Sequence, residues 1–211
     1  MISVKKEFNI PLPLKVVVNY FMKPENIMKF IPYFKDIKEI DENTFSVVIK
    51  WLFSVTFLVK RFYNPFTNDI VYKISRSGIL KVNATLYHSI FRARDSTKAI
   101  ISFTYEGPFE SLVKREAEKF MISLSDEVVK EVLRSEELVI EEGSMERFSL
   151  DRIMEMIRDR QEKLKVFIIH KDKIITIYFE KGNLKTVEGD LSSLYNEKSE
   201  GKISFLITRN E

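Results

Sequence analysis

The sequence predicts an α+β protein in which a curved antiparallel sheet grips one long helix, followed by a small α/β module. Short segments of alternating hydrophobicity, separated by turn residues, fill most of residues 33–106. Apolar residues then recur every three to four positions over residues 109–136, the period of an amphipathic helix. An acidic join that contains Gly143 comes next. We therefore expect one domain over residues 1–140 and a second over 141–211.

The chain opens with a predicted strand and two short helices. Residues 2–10 alternate apolar and polar, as in a half-buried strand. Pro11 and Pro13 end it, because proline cannot donate a hydrogen bond to a sheet. The period becomes helical from Leu14, and Pro24 breaks this helix and begins a shorter one that closes before Pro32.

Six further strands follow, with turn residues between them. We place them at about residues 33–40, 44–51, 55–59, 70–74, 82–93 and 98–106. Their lengths and short connections predict a single meandering antiparallel sheet. Gly107 and Pro108 end this sheet and precede the long helix, which would measure roughly 40 Å at about 1.5 Å per residue.

This order of elements resembles the helix-grip plan of the START/Bet v 1-like superfamily. Residues 11–32, PLPLKVVVNYFMKPENIMKFIP, resemble the opening of its members, and the resemblance extends over about residues 1–136. Within the superfamily the chain is similar to small archaeal members of unknown function and to an accessory protein of carbon-monoxide dehydrogenase. The resemblance implies a ligand cavity between the sheet and the long helix, and it implies no catalytic residue.

The remaining residues predict a smaller module. Ser149 is a typical N-cap for a helix that we extend to Leu164. Strands are expected at residues 166–170, 174–179, 184–188 and 202–208, with a short helix at 191–195. The segments YFEKGNLKTVEG (178–189) and SEGKISFLI (199–207) resemble a small bacterial and archaeal module found beside signalling domains. About 70 residues make a thin core, so this module is expected to dock on the first domain, on a second copy of the chain or on another protein.

Composition excludes several classes of function. The chain has 34 basic and 31 acidic residues and a net charge of +3, without the basic excess of nucleic-acid-binding proteins. It has no cysteine and only two histidines, so we predict neither a metal centre nor a cofactor. No apolar run is long enough for a transmembrane helix, and we expect a cytoplasmic protein. Abundant Lys, Glu and Ile with a single glutamine, Gln161, is typical of thermophiles.

The aromatic residues are the main functional signal, with 17 Phe, 8 Tyr and one Trp. Those on the helix-facing side of the strands, together with apolar residues of the long helix, either fill a solid core or line a hollow. The resemblance favours the hollow. One or two polar groups at its mouth, from among Tyr87, His88 and Arg92, would orient the ligand. The predicted ligand-binding residues are Phe45, Trp51, Phe57, Tyr72, His88, Arg92, Phe103, Tyr105, Leu112, Phe120 and Leu124.

Alternative interpretations stay open at this point. His88 is either such a ligand-binding group or an ordinary sheet histidine. Arg76, Arg92 and Arg94 either form an anion clamp at the cavity mouth or are simply solvated. For the whole chain, the first hypothesis is non-catalytic binding of a lipid-like or aromatic molecule. The alternative is an assembly protein with a filled core, whose residues 141–211 mediate dimer or partner contact. An enzyme has the least support.

Overall fold

The computed structural model describes residues 1–50, 53–78, 81–94, 96–136, 139–170, 173–196 and 203–209. The chain divides into two compact units, residues 1–125 and residues 126–211. The predicted domain boundary at residue 140 stays a prediction. None of the helices in the described ranges is long and apolar enough to cross a membrane.

The elements of the first unit occur in the predicted order. They are β1 (Ile2–Ile10), α1 (Leu14–Met22), α2 (Pro24–Met28), β2 (Phe34–Asp41), β3 (Thr44–Lys50), β4 (Ser54–Asn64), β5 (Asp69–Arg76), β6 (Val82–Ala93), β7 (Ser96–Glu106) and the helix α3 (Glu110–Glu136), whose last residues belong to the second unit. The seven strands form one antiparallel sheet in the order β1-β7-β6-β5-β4-β3-β2. The α+β class and the helix-grip arrangement are confirmed.

Proline sets the boundaries of the two short helices. Pro13 precedes α1, which buries Val17, Val18 and Phe21 on one face. Lys23 is extended because it precedes Pro24, which disfavours the helical conformation of its neighbour. Pro24 then occupies the first turn of α2, where a missing backbone N–H costs nothing. The two helices therefore follow each other with a sharp break.

The sheet of the first unit buries one face. In β6 the even-numbered residues from Val82 to Ile90 are buried, while the residues between them are only partly buried or exposed. Alternate side chains of a strand point to opposite faces, so the even-numbered residues form one continuous stripe. The register of β6 with β5 and β7 extends this stripe across the sheet, from Tyr72 opposite Leu86 to Phe103 on the other side.

The second unit contains a five-stranded antiparallel sheet. Its elements are β8 (Val139–Met145), α4 (Leu150–Ile157), β9 (Lys163–His170), β10 (Lys173–Glu180), β11 (Asn183–Glu188), α5 (Ser192–Asn196) and β12 (Ile203–Arg209). The strand order is β11-β10-β9-β12-β8. Ile153 and Ile157 of α4 form a core with alternate residues of β9, β10 and β12. The Ser149 side chain accepts a hydrogen bond from the backbone N–H of Arg152 and caps α4.

Two details of the second unit differ from the sequence-based expectation. The helix predicted to reach Leu164 ends at Ile157, and Leu164 lies in β9 opposite Phe179. One apolar residue seven positions beyond the last fits a helical stripe and a strand equally well, so the period was misleading. The acidic join, expected to be irregular, contributes the edge strand β8. Its charged side chains are compatible with a strand there, because an edge strand lies beside solvent. Its glutamates are paired, Glu142 with Arg134 and Glu141 with Arg160.

Candidate functional site

A cavity of about 580 Å³ lies within the first unit, between the sheet and the N-terminal part of α3. Its lining comes from β3 to β7, from α3 and from the loops beside them, and it is almost entirely apolar. The residues that line it are Ile31, Pro32, Tyr33, Ile49, Phe53, Val55, Phe57, Ile74, Arg76, Val82, Ala84, Leu86, Phe103, Tyr105, Pro108, Phe109, Leu112, Val113, Glu116, Ala117 and Phe120.

Alternation along the strands supplies the floor of the cavity. Val82, Ala84 and Leu86 of β6 lie between Ile74 of β5 and Phe103 of β7 on the helix-facing side of the sheet. Ala84 is small where its neighbours are large, so it fills less of the space above β6 than they do. The alternation that places apolar residues in an ordinary core therefore lines a hollow here.

Helix α3 supplies the roof. Leu112, Val113, Glu116, Ala117 and Phe120 all line the cavity, with the spacing of one helix face. The start of α3 is held near the sheet because the Tyr105 hydroxyl donates a hydrogen bond to the carbonyl oxygen of Pro108, at 2.7 Å. Burial also raises the pKa of Tyr105, so its hydroxyl stays protonated and remains a donor.

Three aromatic side chains stand where the cavity meets solvent. Tyr33, Phe53 and Phe109 line the cavity, yet each is more than half exposed. Tyr33 and Phe109 also have left-handed backbone angles, with φ of 64° and 63°. Bulky residues adopt this conformation at a cost of roughly 1–3 kcal/mol each. Two of the three aromatic residues at the mouth, Tyr33 and Phe109, are thus held in a backbone conformation that their side chains disfavour.

The opposite end of the same sheet face is filled. Tyr72 and His88 are fully buried there, and the Phe21 ring of α1 lies 5.1 Å from the His88 ring. The Tyr72 ring contacts His88 edge-on, with centroids 5.7 Å apart. Helix α1 therefore closes this end with side chains, and the cavity occupies the end covered by α3.

His88 is kept neutral by this packing. Its Nδ1 atom lies 3.3 Å from the carbonyl oxygen of Ile70, and its buried Nε2 has no hydrogen-bond partner in the described part of the chain. Burial, which penalises the charged ring, lowers the pKa of His88 to about 4, although the Ile70 carbonyl opposes the shift. His88 is therefore a buried, neutral ring in this sheet, and ligand contact by His88 stays a prediction.

The structure brings five of the predicted ligand-binding residues together in the cavity lining. They are Phe57, Phe103, Tyr105, Leu112 and Phe120. Phe45, Tyr72, His88 and Leu124 are buried elsewhere in the unit, Arg92 is exposed at the end of β6, and Trp51 lies outside the described residues. As ligand contacts, all eleven stay predictions.

Of the sixteen described lining residues that were not predicted as ligand contacts, ten lie on strands or on α3 and six lie in loops. Ile31 to Tyr33, Phe53 and Pro108 have no periodic context from which a facing direction can be inferred. Val113 and Ala117 lie on the apolar face predicted for α3, so the helical period was the signal that marked them. Glu116 lies on the same helix, on the side that the sequence predicted to be charged and exposed. It was missed because the cavity lining extends to the edge of that charged side.

Two charged side chains reach the cavity wall. Glu116 is bound by Lys119 at 3.1 Å and by Arg115 at 3.4 Å. The hydrogen bond from Lys119 is the main reason that the pKa of Glu116 lies below its ordinary value. Arg76, at the end of β5, is partly buried. Within the described residues, no group of three or more His, Asp or Glu side chains is arranged to hold a metal ion.

Comparisons with known proteins agree with this architecture. A protein-family model matches residues 1–143 of the 211. No curated protein matches the sequence. Among solved structures, a START superfamily protein from Mycobacterium smegmatis is similar, with 15% identity and a TM-score of 0.52, over 63% of this chain and 98% of that one.

Two further solved structures share the fold. The Zhui aromatase/cyclase from a Streptomyces species has 11% identity and a TM-score of 0.54, over 63% of this chain and 94% of that one. A protein from Thermus thermophilus has 15% identity and a TM-score of 0.53, over 64% of this chain and 99% of that one. The family match and the helix-grip architecture lead to one conclusion. The chain belongs to the START/Bet v 1-like superfamily.

Proposed function

We propose that this protein binds a hydrophobic small molecule in the cavity of its first unit and does not transform it. The observation that carries the proposal is the apolar cavity of about 580 Å³ between the sheet and α3. This volume is typical of sites that enclose most of a drug-sized ligand. A folded protein normally fills its core, so a hollow of this size is best explained by a ligand.

The chemistry of the lining supports binding over catalysis. Among the described lining residues, side-chain polar groups occur only on Tyr33, Arg76, Tyr105 and Glu116. The Tyr105 hydroxyl is engaged by Pro108, and Glu116 is engaged by Lys119. Neither a histidine nor a nucleophile with a neighbouring base is among these lining residues. Glutamate and tyrosine can also transfer protons, but Glu116 is held in ion pairs and the Tyr105 hydroxyl is bound to the Pro108 carbonyl oxygen.

Apolar contact would supply the affinity. Burying roughly 300 Å² of apolar ligand surface at about 25 cal/mol per Å² contributes roughly 7 kcal/mol, partly offset by the lost freedom of the ligand. An energy of about 7 kcal/mol corresponds to a dissociation constant of about 10 μM, and the offset weakens binding further, so we expect a value between about 10 μM and about 1 mM for a simple apolar probe.

The alternative, an assembly protein, needs a filled core in the first unit. The cavity argues against that requirement. A homodimer or a protein partner held through residues 141–211 stays a separate prediction, and it is compatible with ligand binding. Size-exclusion chromatography with light scattering on the full chain tests it, because a monomer at all concentrations would contradict self-association.

Native mass spectrometry tests the proposed function. Protein purified under non-denaturing conditions is expected to carry an additional small mass that disappears after extraction with organic solvent and denaturation. Extracted and refolded protein should regain such a mass when incubated with a lipid extract. Protein that never carries an extra mass, and takes up none from the extract, would contradict the proposal.

A further inference from the structure

Arg76 differs in its environment from the other cavity-lining residues. It is the last residue of β5 and is paired with Val82 of β6, on the same strand face as Tyr72 and Ile74. That face lines the cavity, and Arg76 is part of the lining. Its side chain is partly buried, yet it forms no hydrogen bond or ion pair within the ranges that the structure describes.

Another arginine of the same unit, Arg61, has the hydrogen-bond partners that Arg76 lacks among the described residues. The Arg61 guanidinium donates to the carbonyl oxygens of Met22, at 2.7 Å, and of Glu42, at 2.8 Å. It also donates twice to the Asn43 side chain. Charged groups removed from water are normally satisfied in this way, because an unpaired buried charge is costly. Among the described residues the Arg76 guanidinium has no such partners, so its donors remain available to a ligand.

The acidic residue of the cavity wall does not neutralise Arg76. Glu116 forms its ion pairs with Lys119 and Arg115, both outside the lining. Its charge is thus compensated on the helix surface, and no acidic side chain in the described ranges pairs with Arg76 beside the cavity. A planar guanidinium in this position suits a carboxylate or phosphate, which accept two parallel hydrogen bonds from it.

We propose that the ligand is an amphipathic anion, whose apolar body fills the cavity and whose carboxylate or phosphate head is bound by Arg76. This inference rests on the proposed function and specifies its ligand class. One cation without an ion-pair partner among the described residues, beside a largely apolar surface, matches a ligand with one charged end. Binding would satisfy the donors of Arg76 and orient the ligand with its head toward the end of β5.

The test compares ligands that share a tail and differ in the head. Laurate, dodecyl phosphate and dodecanol compete with the neutral fluorescent probe N-phenylnaphthylamine for the full-length protein. The variants are Arg76→Gln, Arg76→Lys and the control Arg152→Gln, which removes an equal charge from an exposed position on α4. Thermal unfolding checks that each variant is folded, and the conservative Arg76→Lys variant keeps the charge without the planar fork.

Wild-type protein is expected to bind laurate or dodecyl phosphate at least tenfold more tightly than dodecanol, since charged hydrogen bonds are roughly twice as strong as neutral ones. Arg76→Gln should abolish that preference by weakening laurate and dodecyl phosphate at least tenfold, with a much smaller effect on dodecanol and the probe. Arg76→Lys should retain part of it, and Arg152→Gln all of it. Whichever anion shows the larger preference identifies the head group.

Other outcomes overturn the inference. Equal binding of all three alkyl ligands by the wild type, or a preference that survives in Arg76→Gln, would show that Arg76 does not select an anion. In both cases binding of the probe and of dodecanol would still support the proposed function. If the wild type binds neither the probe nor any alkyl ligand, the proposed function and this inference fail together.

Discussion

The Tyr72 hydroxyl donates a hydrogen bond to the backbone carbonyl oxygen of Phe21, at a distance of 2.7 Å. The two residues are 51 positions apart, one on β5 and the other on α1. The bond satisfies a carbonyl near the end of α1 and fixes this helix over the sheet. It thereby helps to keep the end of the sheet under α1 filled, while the end under α3 remains hollow.

Removing this hydroxyl should destabilise the protein without affecting the cavity. Tyr72→Phe leaves a buried carbonyl without its donor, so the free energy of unfolding should fall by about 1–3 kcal/mol. Urea denaturation measures the change. Tyr63→Phe is the matched control, because its hydroxyl bonds Asn68 at an exposed position and its loss should cost less than about 0.5 kcal/mol. Equal effects of the two substitutions would contradict this role.

His88 should make stability depend on pH in a defined interval. Its pKa is about 4 in the folded protein and 6.5 in an unfolded chain, so between these values only the unfolded state binds the proton. Stability therefore falls as the pH decreases through this interval and stops falling below the folded pKa. The loss that His88 contributes should reach roughly 3 kcal/mol.

The variant His88→Met isolates this contribution. It cannot take up a proton, so its stability should decrease less than that of the wild type between about pH 7 and about pH 4. Urea denaturation of both proteins across this range provides the difference. Parallel pH profiles of the two proteins would show that His88 does not titrate as its burial requires.

Gly143 should tolerate no side chain. A Cβ atom at this position of β8 would lie 2.6 Å from Cζ of the Phe205 ring, which is buried in the core of the second unit. Gly143→Ala must displace that ring, and we expect a loss of about 1–3 kcal/mol. Thermal unfolding checks it against Ser144→Ala on the same strand. A variant as stable as the wild type would contradict the close contact.

The cap of α4 should be replaceable by another acceptor. Ser149→Ala removes the oxygen that accepts from the Arg152 N–H and should cost about 1 kcal/mol. Ser149→Asp restores an acceptor beside the positive end of the helix dipole and should keep most of the stability. Unfolding that does not distinguish Ala from Asp at this position would mean that the cap contributes little.

Much of the fold follows from periodicity. Period-two segments predicted the strands of the first sheet, with β6 at residues 82–93, and the helical period predicted α3 within one residue of its observed bounds. The same parity places Phe57 and Phe103 on the helix-facing side, where they line the cavity. Such elements are long and repeat their pattern several times, so the period of a strand can be distinguished from the period of a helix.

The lining of the cavity was less predictable than the strands. Odd or even position along a strand determines which face of the sheet a side chain occupies, but not which end of that face is hollow. Tyr72 and His88 share the helix-facing side with Ile74 and Leu86, but α1 covers the first pair and leaves the second pair in the cavity. The hydrophobic period of a short helix such as α1 does not predict which part of the sheet it will cover. Loop residues such as Phe53 carry no period at all, and their approach to the mouth depends on the tertiary fold.

The central claim is that the space beneath α3 is a binding site, and a fluorescence titration with N-phenylnaphthylamine tests it most directly. Ala117→Phe places a ring in the cavity, whereas Ser111→Phe places one on an exposed position of the same helix. We predict saturable binding by the wild type and Ser111→Phe, and at least tenfold weaker binding by a folded Ala117→Phe variant. Binding that is absent in the wild type, or equal in all three proteins, would contradict the account.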